Sequence, residues 1–335
     1  MSLLPEWPLA YPATGAHGVL KQHNEDFRVD ELPLQMPSGE GEHVWLHIEK
    51  NGANTGWVAK RLAELAGVKE MDVGYAGMKD RNAITRQWFS IYMPKGTTPD
   101  FAQLNDEEMT VLTQTRHSKK LRRGDLLGNR FTLTLRNVAA EQASVDANLQ
   151  QIREHGVPNY FGEQRFGHGG NNIESGRAML AGEIRVRNSN KKGIYLSAVR
   201  SLIFNNVIAA RIRQGLWGKS IAGDLTDDMG QVTAPMWGRG RLATTDDALA
   251  LEQSVSGEHA DLCDGLEHAG LKQERRAVAA VPDNLRWEWQ QGESGTDLVL
   301  TFSLPAGYYA TSVIREIMTT EEPERKFVHE ADAVE

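Results

Sequence analysis

GYAGMKDRNAITRQWFSIYM, residues 74–93, is the stretch around which the rest of the chain is organised. Its first half is rich in turn formers, with Gly74, Gly77, Asp80 and Asn82 close together. Its second half places Phe89, Ile91 and Met93 at period two, the pattern of a half-buried strand. The reading is therefore a loop feeding a strand. At the loop's centre one carboxylate, Asp80, sits between Lys79 and Arg81. Neighbouring cations favour the charged form of a carboxylate. An ionised Asp on a scaffolded loop serves as a nucleophile, a base or a ligand. Taken alone, a Lys-Asp-Arg triplet also reads as an ordinary charged turn.

Working outward, the segment from Leu20 to Glu31, LKQHNEDFRVDE, runs from a charged turn into a strand in which Phe27 and Val29 alternate with polar residues. Val44, Leu46 and Ile48 share one face of a second strand, His43 to Glu49. Thr55 is placed to cap a helix carrying Val58, Leu62 and Leu65, which Gly67 stops. Gly128 and Asn129 precede a strand over Phe131 to Asn137. A helix from about Glu141 follows, with Val145, Leu149 and Ile152 in register, ending before Gly156. These strands alternate rather than running as continuous apolar blocks, which indicates an α+β class.

The composition changes at Gly156-Val157-Pro158. Beyond it the chain is mostly helical, with Ser197 placed to cap a long helix ending at Gly215, and strand alternation returns only at Leu298 to Leu304. This order predicts a domain inserted into a loop of another: residues 1–155 and 284–335 form one, and 156–283 form the inserted, helix-rich one.

The 335 residues carry a formal charge of −8, with 40% apolar and 24% charged residues, as in ordinary soluble proteins. One cysteine, Cys263, excludes an intramolecular disulfide and fits a reducing, cytoplasmic setting. The N-terminus lacks the basic region of a signal peptide. No apolar run reaches the roughly 18 residues of a membrane span, so no membrane partner is expected. Charge is segregated. Residues 184–219 contain no Asp or Glu but hold Arg185, Arg187, Lys191, Lys192, Arg200, Arg211, Arg213 and Lys219. Residues 116–130 hold Arg116, Lys119, Lys120, Arg122, Arg123 and Arg130 against Asp125 alone. Gly223 to Glu267 and the tail after Met318 collect the acids. Such segregation is consistent with a basic face for a polyanion and equally with solvated helix and loop surfaces.

Several chemistries are excluded. His43 and His47 lie four apart on a strand, not a helix, and lack a third ligand nearby. The glycines of FGEQRFGHGG are not followed by the Lys-Ser or Lys-Thr of a phosphate loop, and no GxSxG elbow occurs. Cys263 sits in an acidic segment, a poor setting for a thiolate. Asp80 remains, together with aromatic residues set among polar ones: Phe27, Phe131, Tyr160, Phe161, Phe166, Tyr308 and Tyr309. Such rings stack on unpaired bases or fill cores.

Five segments carry a resemblance. GMKDRNAITRQ at 77–87, LKQHNEDFRVDE at 20–31, GNRF at 128–131, NYFGEQRFG at 159–167 and LPAGYYATSVIREI at 304–317 resemble motifs of the TruD family of tRNA pseudouridine synthases. The resemblance implies a pseudouridine synthase catalytic domain built on a mixed, largely antiparallel sheet, with an inserted TruD-specific domain. It implies conversion of uridine 13 of tRNA to pseudouridine, without metal or cofactor. Asp80 matches the catalytic aspartate. Lys21, Phe27, Lys79, Gln87, Asn129, Phe131 and Tyr309 match substrate-contacting or neighbouring positions, Tyr309 standing where the family often has Phe. A monomer whose partner is tRNA, with no protein partner, is expected. The rival is a non-catalytic RNA-binding protein of the same fold. A glycoside hydrolase is a further alternative, but such enzymes need a second carboxylate as general acid.

Overall fold

A computed structural model describes residues 4–94 and 97–324. The acidic tail runs past residue 324 and there lies outside the described residues. In chain order the elements are β1 (His17–Val19), β2 (Phe27–Pro33), β3 (His43–Asn51), α1 (Thr55–Ala66), β4 (Val73–Tyr75), β5 (Ile84–Tyr92), β6 (Met109–His117) and β7 (Leu126–Ala139). Then come α2 (Gln142–His155), β8 (Val157–Pro158), α3 (Asn171–Leu180), α4 (Ser189–Arg213), β9 (Thr233–Met236), α5 (Asp246–Gly257), α6 (Ala260–His268), β10 (Glu274–Ala277) and β11 (Ala279–Ala280). The chain ends with β12 (Asp283–Gln291), β13 (Thr296–Pro305), α7 (Ala310–Arg315) and β14 (Thr319–Glu321). Two compact units emerge: residues 14–145, 282–310 and from 318 on, and residues up to 13, 146–281 and 311–317.

The first unit is built on a sheet of order β12-β13-β7-β2-β5-β3-β6, with β4 added beside β5, β1 beside β7 and β14 beside β1. Among the described strands only β2–β5 and β1–β14 pair in parallel, so the sheet is mixed and largely antiparallel, as expected. Register decides what faces what. Glu31 lies opposite Asn129, Val29 opposite Phe131 and Thr85, Lys50 opposite Thr85, and Ile48 opposite Gln87. Opposed residues share a face, so these side chains line one surface. Further along that surface, Val44, Leu46, Ile48, Phe89 and Ile91 are sealed by Val58 and Leu62 of α1. Each such burial contributes about 1.5–3 kcal/mol. The helix cap is Asn54, whose side chain accepts from Gly56 N at 2.7 Å, rather than Thr55. Asn54 has the extended backbone a cap requires, and Thr55, the first helical residue, is left for another task. Gly67 ends α1 in the left-handed conformation.

The second unit is organised by α4. This helix starts at Ser189 with Asn188 as its cap, earlier than the expected start at Ser197. Its first turns are polar and exposed, so they show no apolar period. Ser197 lies inside the helix, where its hydroxyl accepts from Arg165. By length and mean hydropathy α4 could span a membrane, contrary to expectation, but 67% of its apolar window is buried in the unit's core. Tyr160, Phe161 and Phe166 pack there with Phe204 and Ile208. Cys263 is buried too, and burial pushes its thiol up to about 12.

One buried acid makes this unit sensitive to pH. Glu316 is 2% exposed. Its Oε2 accepts from Ala10 N at 2.8 Å and Tyr11 N at 3.4 Å, and Arg315 lies 3.5 Å from Oε1. Burial outweighs these partners and pushes the carboxyl up to about 7 from an ordinary 4.5. The native state then binds a proton that the unfolded chain has released, so stability is full below about pH 4.5 and declines as pH rises through about 7. Glu316→Gln keeps an acceptor for both amides. It is expected to flatten that decline, on the order of 3 kcal/mol, in urea unfolding followed from about pH 5 to 8. A wild-type stability that is level over this range would contradict the assignment.

Candidate active site

Asp80 lies on the loop between β4 and β5, and the loop is stitched down on both sides. Thr55 Oγ1 accepts from Lys79 N at 3.1 Å and donates to Gln87 Oε1 at 3.0 Å. Gln87 Nε2 donates to Gly77 O at 3.1 Å. Gln87 is fully buried on β5, so it clamps the loop rather than facing an open cleft. Past Asp80, Gly52 N donates to Ala83 O at 3.2 Å, and Arg81 Nε donates to Gly52 O at 3.3 Å. The strand from Ile84 is thus a rigid base for the loop that precedes it.

A further clamp was not legible in the sequence. Lys50, on β3, is 0% exposed. Its ammonium donates to Ala53 O at 2.7 Å, to Asp80 O at 2.8 Å and to Lys79 O at 3.4 Å. A buried cation is tolerated only when its protons are satisfied, and here backbone carbonyls of the loop satisfy them. The carbonyl of Asp80 itself is held, which fixes where its side chain starts.

The carboxylate is held as well. Lys21 Nζ donates to Asp80 Oδ2 at 2.5 Å, and Asn82 N donates to Oδ1 at 2.9 Å. Lys21 is 7% exposed and lies over the Phe27 ring at 4.6 Å. Its φ of 56° is the left-handed region, uncommon without glycine. Such strain persists where the surroundings over-determine a conformation. The cation at Asp80 is therefore Lys21 from a distant segment. Lys79, also expected to flank it, turns away, while Arg81 Nε donates to Gly52 O. Lys79 Nζ pairs with Glu31 Oε2 at 2.7 Å, both side chains buried, and Glu31 Oε1 accepts from Trp88 N at 3.2 Å. Lys79 is adjacent to Asp80 in sequence but committed to the floor of the site.

The floor continues across β2, β7 and β13. Phe27 and Phe131 meet edge to face with centroids 6.4 Å apart, and Phe131 lies 5.4 Å from Phe302. All three rings are buried. Asn129 shares the face of Phe131, and its Oδ1 is buried with no hydrogen-bond partner among the described residues. Thr85 Oγ1 is in the same condition on the same face. Buried acceptors are normally paired, so Asn129 has capacity to spare for a substrate. Tyr309, 42% exposed, retains an accessible ring of the kind on which bases stack. Asp26 of the EDF segment is structural. Arg136 bonds its Oδ1 at 2.6 and 2.8 Å and reaches Asp297 at 2.8 Å, tying the start of β2 to β7 and β13.

The basic span of the second unit divides. Arg185, Arg187, Lys191 and Lys192 are exposed or nearly so, at and just before the start of α4. Arg200 instead donates to the carbonyls of Met236 and Trp237, each at 2.8 Å, and Arg211 makes a buried two-pronged pair with Asp224 at 2.8 and 2.9 Å. Those two cations hold the fold and are removed from the expected basic face. Tyr160, Phe161 and Phe166 are core residues rather than base platforms.

Comparisons with known proteins point one way. The model of the family described as tRNA pseudouridine synthase D (TruD) matches residues 8–187. A tRNA pseudouridine synthase D of Aeromonas hydrophila is 44% identical, the match covering 98% of this chain and 99% of the relative. One from Shewanella oneidensis is 45% identical over 89% of this chain and 85% of its own. A crystal structure from Methanosarcina mazei, described as a putative TruD, superposes with a TM-score of 0.74 at 22% identity, covering 94% of this chain and 96% of that one, which speaks to the fold.

Proposed function

The chain belongs to the TruD family of tRNA pseudouridine synthases, and from this premise we propose that it isomerises uridine 13 of tRNA with Asp80 as the nucleophile and without a cofactor. The observation that carries the reading is the pairing of Asp80 with Lys21 on a loop whose backbone Lys50 pins. The net reaction breaks the C1′–N1 bond, turns the base over and joins C5 to C1′, the C5 hydrogen leaving as a proton while N1 gains one. Attack of the carboxylate at C1′, attack at C6, and stabilisation of a cationic sugar while C2′ loses a proton all need an ionised oxygen held against the nucleoside. Lys21 places a counter-charge directly against that oxygen. The target nucleotide must leave the RNA stack to reach Asp80. The unpaired amide oxygen of Asn129 and the exposed ring of Tyr309 supply hydrogen-bonding and stacking partners for an extruded base. Position 13 follows from the motif resemblance.

A binding-only protein gains nothing from a carboxylate held in this way, and this separates the two readings. The direct test is to incubate the protein with a panel of unmodified tRNA transcripts and map pseudouridine by carbodiimide-dependent primer extension. A stop at uridine 13 is expected. No stop in any transcript would leave only RNA binding. The exposed cations at the start of α4 are expected to grip phosphates. Lys191→Glu with Lys192→Glu should raise KM for tRNA several-fold and lower the slope of log affinity against log salt by about 0.7–0.9 for each phosphate that is no longer neutralised. An unaltered slope would move the RNA off this segment.

A further inference from the structure

The second basic stretch of the sequence, residues 116–130, forms a cavity that the Asp80 site does not use. After β6 the chain makes a loop, Ser118 to Asp125, before β7 begins. Hydrogen bonds to the neighbouring strands and within the turn fix this loop. Trp45 Nε1 donates to Lys119 O at 2.9 Å, Leu121 N to Ser90 Oγ at 2.9 Å, Gly124 N to Ala76 O at 2.8 Å, and Arg122 N to Asp125 Oδ2 at 2.7 Å. Gly74 permits the approach, because a Cβ there would stand 2.2 Å from Leu121 O. The loop, the residues after β2 and the start of β3 border a half-open cavity of about 630 Å³, within the size range of ligand sites.

The lining has a definite character. Lys119 and Arg122 are exposed and have no carboxylate partner among the described residues. Lys120 adds a third cation, its Nζ donating to Met71 O at 3.0 Å. The one acid of the lining, Asp125, is occupied by the amide of Arg122. Beside the cations stand neutral polar groups: Ser118, Gln35, and His43, whose Nδ1 is buried with no hydrogen-bond partner among the described residues. Burial, then the nearby charges of Lys120 and His117, hold His43 below the usual histidine range against the opposing pull of Glu42. Its imidazole is thus neutral at pH 7, with a nitrogen able to accept. Cations beside neutral acceptors suit a ligand that carries both anionic oxygens and hydroxyl groups. An alternating phosphate and ribose backbone has both, and the 2′-hydroxyl is what distinguishes RNA from DNA.

Strand parity separates this cavity from the catalytic floor. His43 and Trp45 point to the face of β3 opposite that of Ile48 and Lys50. His43 lies seven residues from Lys50, on the order of 23 Å along the strand. One nucleotide cannot fill both sites, but a folded RNA can.

We propose that this cavity is a second RNA-binding site, which seats a ribose-phosphate segment of the substrate tRNA away from the target uridine, with Lys119 and Arg122 on phosphates and His43 on a 2′-hydroxyl. The proposal rests on the reading of the chain as a tRNA-modifying enzyme. Its role is to hold the tRNA, so it acts on KM rather than kcat. The test is Lys119→Glu with Arg122→Glu in the full chain, assayed on an unmodified tRNA transcript, with thermal melting to establish that the fold is intact. KM is expected to rise about tenfold or more with kcat within about twofold, and the salt slope to fall by about 1.5, as two phosphates go unneutralised. His43→Ala should raise KM about threefold for RNA and leave the much weaker affinity for DNA of the same sequence unchanged. Wild-type KM and salt slope in the double variant would overturn the site, and equal loss of RNA and DNA affinity in His43→Ala would overturn the ribose contact. If the wild type forms no pseudouridine yet the double variant still loses tRNA affinity in filter binding, the site stands and the catalytic reading falls.

Discussion

Asp80→Asn is expected to lower pseudouridine formation by more than about 10⁴-fold, equivalent to about 5.5 kcal/mol on the barrier, while tRNA binding stays within a few-fold of wild type. The amide keeps the shape of the carboxylate and can still accept from Lys21 or from Asn82 N, so the loop should hold its conformation. It lacks the charge and nucleophilicity that each of the three routes requires. Single-turnover assays with carbodiimide primer extension would measure the loss, and filter binding would measure affinity. Activity within about tenfold of wild type would remove Asp80 from the chemistry and leave the binding-only reading. Loss of both activity and affinity would indicate that the charge shapes the RNA site instead.

The second large effect is expected at Lys50. Lys50→Met keeps most of the length of the side chain and removes the ammonium that Ala53, Lys79 and Asp80 share. Two opposing effects follow. Buried carbonyls lose their partner, at about 1–3 kcal/mol each, and a buried charge is relieved of its desolvation. Folding should therefore suffer moderately. Catalysis should suffer more, because a displacement of about 1 Å at a reacting group costs roughly 10²-fold. A fall in kcat of about that size is expected with KM for tRNA little changed, since the cations proposed to grip phosphates lie elsewhere. Unchanged kcat would show that Thr55 and Gln87 suffice to hold the loop. Equal changes in kcat and KM, with a large drop in melting temperature, would mark Lys50 as a residue of the fold alone.

Much of this site was legible in order along the chain. Period-two runs placed β2, β3, β5, β7 and β13, because one face of each carries apolar residues onto the core, although β3 and β5 also bury Trp45 and Trp88 on the other face. The edge strand β12 does alternate, with Leu285, Trp287 and Trp289 against Arg286, Glu288 and Gln290, a period-two run by which it could have been found. The other edge strand, β6, MTVLTQTRH, gave little such signal, because it is bordered by solvent and its polar residues cost nothing there. The same reasoning explains α4. Its buried portion was readable from apolar spacing, while its first turns, exposed and basic, were not.

The sequence by itself determined the family, the α+β class and the identity of the candidate nucleophile, because those depend on which residues occur at which spacing in local motifs. Only the tertiary structure decided which cation serves Asp80. Adjacency favoured Lys79 and Arg81, yet Lys79 is drawn into a buried pair with Glu31, and Lys21 arrives from 59 residues away. It also decided that Lys50 pins the loop, that Gln87 is a clamp, and that Arg200 and Arg211 hold the second unit together. Ion pairs and buried hydrogen bonds are set by strand register and by where water is excluded. Neither is a property of a segment read alone, since each partner's environment is made by residues far from it in the chain.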